Sequence, residues 1–206
     1  MMSINGVFNH CPLATVYMGR NIVDELSDRT IRPFLAAPLS SLTIGSQVTS
    51  FTNDLCCYYN KLKSVCFEDS DIPLEIEGRS SFSQGSESWT TVYIGRDLNY
   101  TDSYSPFRYQ HALTSVTIGN RVSRIGLYAF DGCRSLASVT IPNSVQSIDE
   151  NAFSNSGLES IDIPQSVTEI GEKAFYECKY LKTVTIPNSV KTIGKAAFSS
   201  RVFRDL

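Results

Sequence analysis

Long apolar runs are missing from this 206-residue chain: none approaches the roughly 18 residues that a membrane-crossing helix requires, so direct insertion into a bilayer is not expected. Basic residues are not in excess either. Lys and Arg number 18 against 21 Asp and Glu, a net charge of −3, which leaves no positive footprint for nucleic acid and no polybasic patch for a membrane surface. Met1 to Pro12 lack the basic segment and apolar run of a secretory signal peptide. G-x-G-x-x-G, P-loop and C-x-x-C motifs are absent, and the two histidines, His10 and His111, stand far apart. No cofactor and no metal site are expected from such a sequence.

What is present is a repeat. Leu113, Leu136, Leu158 and Leu181 open four copies separated by 23, 22 and 23 residues. Aligned on these leucines, Val116, Val139, Ile161 and Val184 form one column and Ile118, Ile141, Ile163 and Ile186 the next. Val122, Val145, Val167 and Val190 follow, then Ile125, Ile148, Ile170 and Ile193, then the pairs Ala129-Phe130, Ala152-Phe153, Ala174-Phe175 and Ala197-Phe198. A unit this short buries its apolar face only against its neighbours, so the copies must stack as the coils of a solenoid with the period of leucine-rich repeats.

Within each copy the run L-x-S-V-T-I alternates branched apolar residues with Ser and Thr, the pattern of a strand with one face inside and one outside. Pro142, Pro164 and Pro187, or Gly119, follow at once and end the ladder. The Val-x-x-Ile segment then crosses to a second face, where another very short strand fits. Segments such as E-K-A-F-Y-E hold about one turn of helix-compatible residues, so short turns or single-turn helices are expected there. The fold class is an α/β repeat solenoid, predominantly β, with a parallel sheet on one face.

The consensus L-x-x-V-x-I-P-x-S-V-x-x-I-G-x-x-A-F-x-x-C, clearest in L-A-S-V-T-I-P-N-S-V and L-K-T-V-T-I-P-N-S-V, resembles the BspA-like leucine-rich repeats of bacterial surface proteins from Leu113 to Phe198. The resemblance implies a curved, right-handed solenoid serving as an adhesion or binding module, at the cell surface or secreted. It also implies a protein or glycan partner such as host extracellular matrix.

Looser copies precede these four. Leu13, Leu39, Leu62 and Trp89 start coils on the same ruler, with Trp in the leucine slot as a core residue, and Gly19 takes the proline slot. One solenoid over 1–206 is expected, with coils starting at 13, 39, 62, 89, 113, 136, 158 and 181 and a half coil at 1–12, where Phe8 and Cys11 repeat the F-x-x-C spacing. Glu68 to Ser88, rich in Asp, Glu, Ser and Gly, reads as an insertion bulging from the solenoid edge, with Ile72, Leu74, Ile76 and Phe82 as candidate anchors, and is an alternative binding site because binding residues gather on loops. A chain that opens within a coil reads as a piece of a longer protein. Val202, Phe203 and Leu206 offer a meagre cap on the last coil; without it the open end should associate end to end.

Cys11, Cys133 and Cys178 occupy one inward column. Cys133 and Cys178 are two coils apart, about 10 Å at the strand spacing, beyond the reach of a bridge, and are expected to be buried thiols. Cys56 or Cys57 could pair with Cys66 in the next coil, and a disulfide there is left open.

Residues two and four places after each leucine point outward from the first sheet. These are Thr15 and Tyr17, Ser41 and Thr43, Ser64 and Cys66, Thr91 and Tyr93, Ser115 and Thr117, Ser138 and Thr140, Ser160 and Asp162, and Thr183 and Thr185. One carboxylate, Asp162, with neither a second acid nor a histidine beside it assembles no glycosidase pair and no hydrolase triad, so an enzyme is not expected. Tyr17 and Tyr93 put aromatic area on this polar face, as interface anchors do, although tyrosine also serves as ordinary cross-strand packing. The candidate binding residues are therefore Tyr17, Tyr93, Thr91, Thr117, Thr140, Asp162 and Thr185. The two tyrosines lie three coils apart, about 14 Å at the strand spacing, so contact with one small ligand is not expected. The alternative function is a spacer or self-assembling stalk without a ligand of its own, favoured by the near-uniform Ser/Thr face.

Overall fold

The computed structural model describes residues 10–21, 37–52, 61–77, 89–100 and 105–200. The half coil before His10, Cys56, Cys57, Phe82 and the rest of 78–88, and the expected cap at Val202, Phe203 and Leu206 lie outside the described residues.

All paired strands are parallel, as a solenoid requires when each coil repeats the direction of the last. On the first face, β1 (Thr15–Met18), β2 (Ser41–Ile44), β4 (Ser64–Phe67), β6 (Thr91–Ile94) and β8 (Ser115–Ile118) form one sheet in that order. A single bridge from Thr117 to Thr140 extends it by one position. Further along, β11 (Ser160–Asp162) pairs with β13 (Thr183–Thr185). The second face carries β3 (Ser50–Thr52), β5 (Leu74–Glu77) and β7 (Leu98–Asn99), then β9 (Arg124–Ile125), β10 (Ser147–Ile148), β12 (Glu169–Ile170) and β14 (Thr192–Ile193). The Val-x-x-Ile segment thus does make its own short strand, because the isoleucine is anchored in the core while the residue before it faces out.

The proline or glycine slot opens a tight turn between the two faces. Val145, Val167 and Val190 each donate a backbone hydrogen bond to the proline carbonyl three residues earlier, at 3.1, 3.1 and 3.2 Å, and Val48 and Val122 do the same to Gly45 and Gly119 at 3.0 and 3.2 Å.

The Ala-Phe segments form turns, and among the described residues there is no helix. Two residues per copy take left-handed backbone angles, Tyr128 and Gly132, Asn151 and Asn155, Lys173 and Glu177, which a right-handed helix does not admit. The N–H groups of these turns serve the stack instead: those of Phe130, Phe153 and Phe175 each donate to the alanine carbonyl of the next coil at 2.7 Å.

The core runs through the stack as columns. Leu39, Leu62, Trp89, Leu113, Leu136 and Leu158 are completely buried, which confirms tryptophan in the leucine slot. Phe107, Phe130, Phe153, Phe175 and Phe198 stack face to face with centroids 5.6, 5.3, 5.3 and 5.1 Å apart. Cys133 and Cys178 are buried free thiols, while Cys11 is half-buried and free. Cys66 is also free, so the disulfide left open for it is not made.

The insertion expected over 68–88 needs correcting at its start. Leu74 and Ile76 are core residues of β5, which lies between β3 and β7; L-E-I-E alternates inside and outside as a strand should. Among the described residues of this segment, the corner before β5 is enlarged. From Glu68 to Leu74 is six steps, where Gly45 to Val48 and Gly95 to Leu98 take three. Ile72, expected as an anchor, is exposed on this corner.

Candidate binding face

The first sheet places its outward residues in register. Tyr17 pairs with Thr43, Thr43 with Cys66, Cys66 with Tyr93 and Tyr93 with Thr117, and the Thr117–Thr140 bridge continues the column. Thr91 stands in the neighbouring column, between Ser64 and Ser115. Asp162 pairs with Thr185 in the separate two-stranded sheet. Thr91, Thr117, Thr140, Asp162 and Thr185 are exposed, Tyr17 is 62% exposed and Tyr93 is half-buried. Tyr17, Tyr93, Thr117 and Thr140 are therefore brought into one row, and Asp162 and Thr185 are not joined to it by pairing.

The tyrosines are less independent than their separation suggests. Tyr17 donates from its hydroxyl to Glu68 Oε2 at 3.3 Å, and Tyr93 to Asp69 Oδ1 at 2.8 Å. Two aromatic residues three strands apart are thus tied to consecutive residues of the enlarged corner. The backbone N–H of Ser46 also donates to Glu68 Oε2, at 2.9 Å, and Arg121 forms an ion pair with Asp71. Together these contacts strap Glu68–Asp71 across the sheet margin. The Tyr93 phenol is pushed above its ordinary pKa first by the bond to Asp69, and Tyr17 first by desolvation and then by the charge of Glu68.

The glycine slot makes room for these rings. A Cβ on Gly45 would stand 2.7 Å from the Tyr17 hydroxyl oxygen and 2.9 Å from the Met18 carbonyl oxygen. On Gly119 it would stand 2.9 Å from Asp69 Oδ1 and 3.0 Å from the Tyr93 hydroxyl oxygen. Such separations admit no side chain without displacement, which accounts for glycine in the coils beside the tyrosines where later coils have Pro142, Pro164 and Pro187.

Glu68 and Asp69 open the segment expected as an alternative site, but their ties to Tyr17 and Tyr93, and the parts of Ser46 and Arg121, are what sequence reasoning missed. The available signal was Glu68, a carboxylate standing where neighbouring coils carry Gly45 and Gly95. On the opposite face a groove of about 440 Å³ is lined by Tyr100, Arg124, Asp149, Glu150, Glu169 and Glu172. Burial pushes the Asp149 carboxyl up, against the opposing effects of Ser147 and Arg124. Among the described residues no group of three or more His, Cys, Asp or Glu side chains is arranged to hold a metal ion, and no helix is long and apolar enough to cross a membrane.

A family model described as the BspA type leucine rich repeat region, in 6 copies, matches residues 4–111 and 101–205. A solved leucine-rich repeat protein from Bacteroides ovatus is 24% identical with a TM-score of 0.53, and the match covers 77% of this chain and 37% of that one. The leucine-rich repeat protein of T. pallidum is 20% identical with a TM-score of 0.51, over 90% of this chain and 70% of that one. This chain therefore spans well under half the length of the Bacteroides protein. No curated protein matches at a significant level. Periodic leucine columns, two rows of parallel strands and the match over nearly the whole sequence have one conclusion: the chain belongs to the BspA-type leucine-rich-repeat family.

Proposed function

We propose that this chain is a non-enzymatic binding module of a cell-surface or secreted protein, one solenoid unit that engages a protein or glycan, such as host extracellular matrix, through its first sheet. The observation that carries the reading is Tyr17, an aromatic ring 62% exposed on a sheet whose other outward residues, Tyr93 apart, have short side chains. Exposed aromatics of fixed geometry give contact area at low entropic cost, which is why they anchor interfaces. Tyr93, Thr91, Thr117 and Thr140 extend this surface, and Asp162 and Thr185 lie at its far end. A binding screen of the purified chain against matrix proteins and a glycan panel, beside a Tyr17→Ala/Tyr93→Ala double variant, tests it. Saturable binding lost in the variant is expected; binding kept by the variant removes the sheet as the site.

A second reading, a stalk that stacks end to end, is favoured by one observation. The outward row runs through Ser41, Thr43, Ser64, Ser115, Thr117, Ser138 and Thr140, a nearly uniform Ser and Thr face that suits a spacer. Light scattering over a concentration series decides it, since a stacking stalk grows with concentration and a monomeric binding module does not.

A further inference from the structure

Resting on the sheet-face reading above, we propose that Tyr17 and Glu68 form a subsite for one neutral hexopyranose ring of an oligosaccharide. Sugars present a polar rim of hydroxyls around faces of C–H groups, so a sugar site needs an immobile aromatic face to stack on and acceptors at its edge. Tyr17 supplies the first. Its hydroxyl is held by Glu68 at 3.3 Å, and its ring edge runs along Gly19 and Gly45, where a Cβ would meet Cε1 at 3.1 Å and Cζ at 3.0 Å. One side of the ring is thereby fixed against the backbone while most of the residue remains exposed.

The surroundings supply the second. Glu68 stands at the ring edge, and Thr15, Ser41 and Thr43 line the adjoining strand positions with hydroxyls that both donate and accept. The charge selects among sugars. Of the cations near this corner, Arg121 is engaged by Asp71 and the buried Arg96 is turned onto the Gly45 and Val48 carbonyls, so the charge presented at the edge of the Tyr17 ring is the Glu68 carboxylate, which disfavours sialic and uronic acids there. Tyr93, tied to the next residue of the same corner, offers a smaller second surface three strands along. A monosaccharide fills one position only; an extended chain reaches both.

Saturation-transfer NMR and calorimetry on the full chain, with neutral tetrasaccharides of glucan, mannan and N-acetyllactosamine type, 3′-sialyllactose and tetramethylammonium as probes, test the proposal. At least one neutral tetrasaccharide should bind saturably, Tyr17→Ala should weaken it about tenfold or more, and Tyr17→Phe should stay within a few-fold because the stacking face survives. An unchanged melting curve for Tyr17→Ala separates a lost site from lost folding. Absence of binding by every neutral probe overturns the proposal, as does full affinity in Tyr17→Ala. Equal binding of sialyllactose or tetramethylammonium overturns it too, the latter because the platform would then be a cation site. If sugars fail while a matrix protein still binds in a Tyr17-dependent way, the sugar subsite falls and the sheet-face reading stands.

Discussion

Arg96 Nη2 donates to the carbonyl oxygen of Gly45 at 2.6 Å, joining two residues separated by an entire intervening coil. Its Nη1 reaches the Val48 carbonyl, also at 2.6 Å, and the side chain is completely buried. The corner between them, 68–74, is the enlarged one, so it leaves the carbonyls of the Gly45–Val48 turn without a regular neighbour and the guanidinium takes that place. Burial lowers the Arg96 pKa, and the charge of Glu68 acts in the opposite direction. Arg96→Met retains much of the volume but strips donors from two buried carbonyls, and should cost about 2 to 4 kcal/mol. Arg96→Lys should recover little, since one ammonium does not reproduce the planar fork that spans both oxygens. Urea denaturation of the three proteins checks this; an Arg96→Met midpoint equal to that of the wild type shows that the corner needs no such support.

Phe153 has an aromatic neighbour on each side, Phe130 and Phe175, both with centroids 5.3 Å away. Truncation there leaves a void in the middle of a stack that the coils on either side hold open, because their spacing is set by backbone hydrogen bonds. Phe153→Ala should cost about 3 to 5 kcal/mol. Phe198→Ala, at the half-buried end of the same stack, should cost distinctly less. Equal midpoint shifts for the two variants contradict the graded burial of the column.

The columns themselves are legible in the sequence because period alone determines them: once Leu113 and Leu136 are aligned, Phe130 must lie under Phe153. What happens at the outward margin is not. Register gives the separation of Tyr17 and Tyr93 along the sheet, but the direction in which a ring leans depends on what the neighbouring slot leaves open, here Gly45 and Gly119. Glu68–Asp71 looked like the start of an excursion because acidic residues replace the turn signal, and its role as a strap depends on partners 24 to 51 residues away. Arg96 was hidden for a related reason. A charged residue in a corner reads as solvated surface until the corner beside it is found to be too long.

The buried thiols should be chemically silent in the folded chain. Cys133 Sγ donates to the Phe107 carbonyl at 3.1 Å and Cys178 Sγ to the Phe153 carbonyl at 3.0 Å, and burial pushes both thiols up, away from the reactive thiolate. Iodoacetamide at mildly alkaline pH should leave both unmodified in the native protein and label both in denaturant, as read by peptide mass mapping. Cys66 should react more slowly than Cys11, because burial and the charges of Glu68 and Asp69 also raise its pKa. Rapid native labelling of Cys133 excludes its place in the core column.

Raised phenol pKa values at Tyr17 and Tyr93 give the strap a defined pH range. A phenol whose folded pKa exceeds its unfolded value keeps its stabilising contribution below the ordinary phenol pKa of about 10 and loses it as pH rises through the folded value. The bonds to Glu68 and Asp69 should therefore persist through neutral and mildly alkaline solution and release only in stronger alkali, where phenolate and carboxylate repel. Absorbance titration of phenolate formation in the wild type and in a Tyr17→Phe/Tyr93→Phe variant isolates the pair among the 10 tyrosines. The difference curve should have its midpoint above about 10. A midpoint at or below that value means the two hydroxyls are not held by the carboxylates, and Glu68 and Asp69 would then not be strapped to the sheet through them.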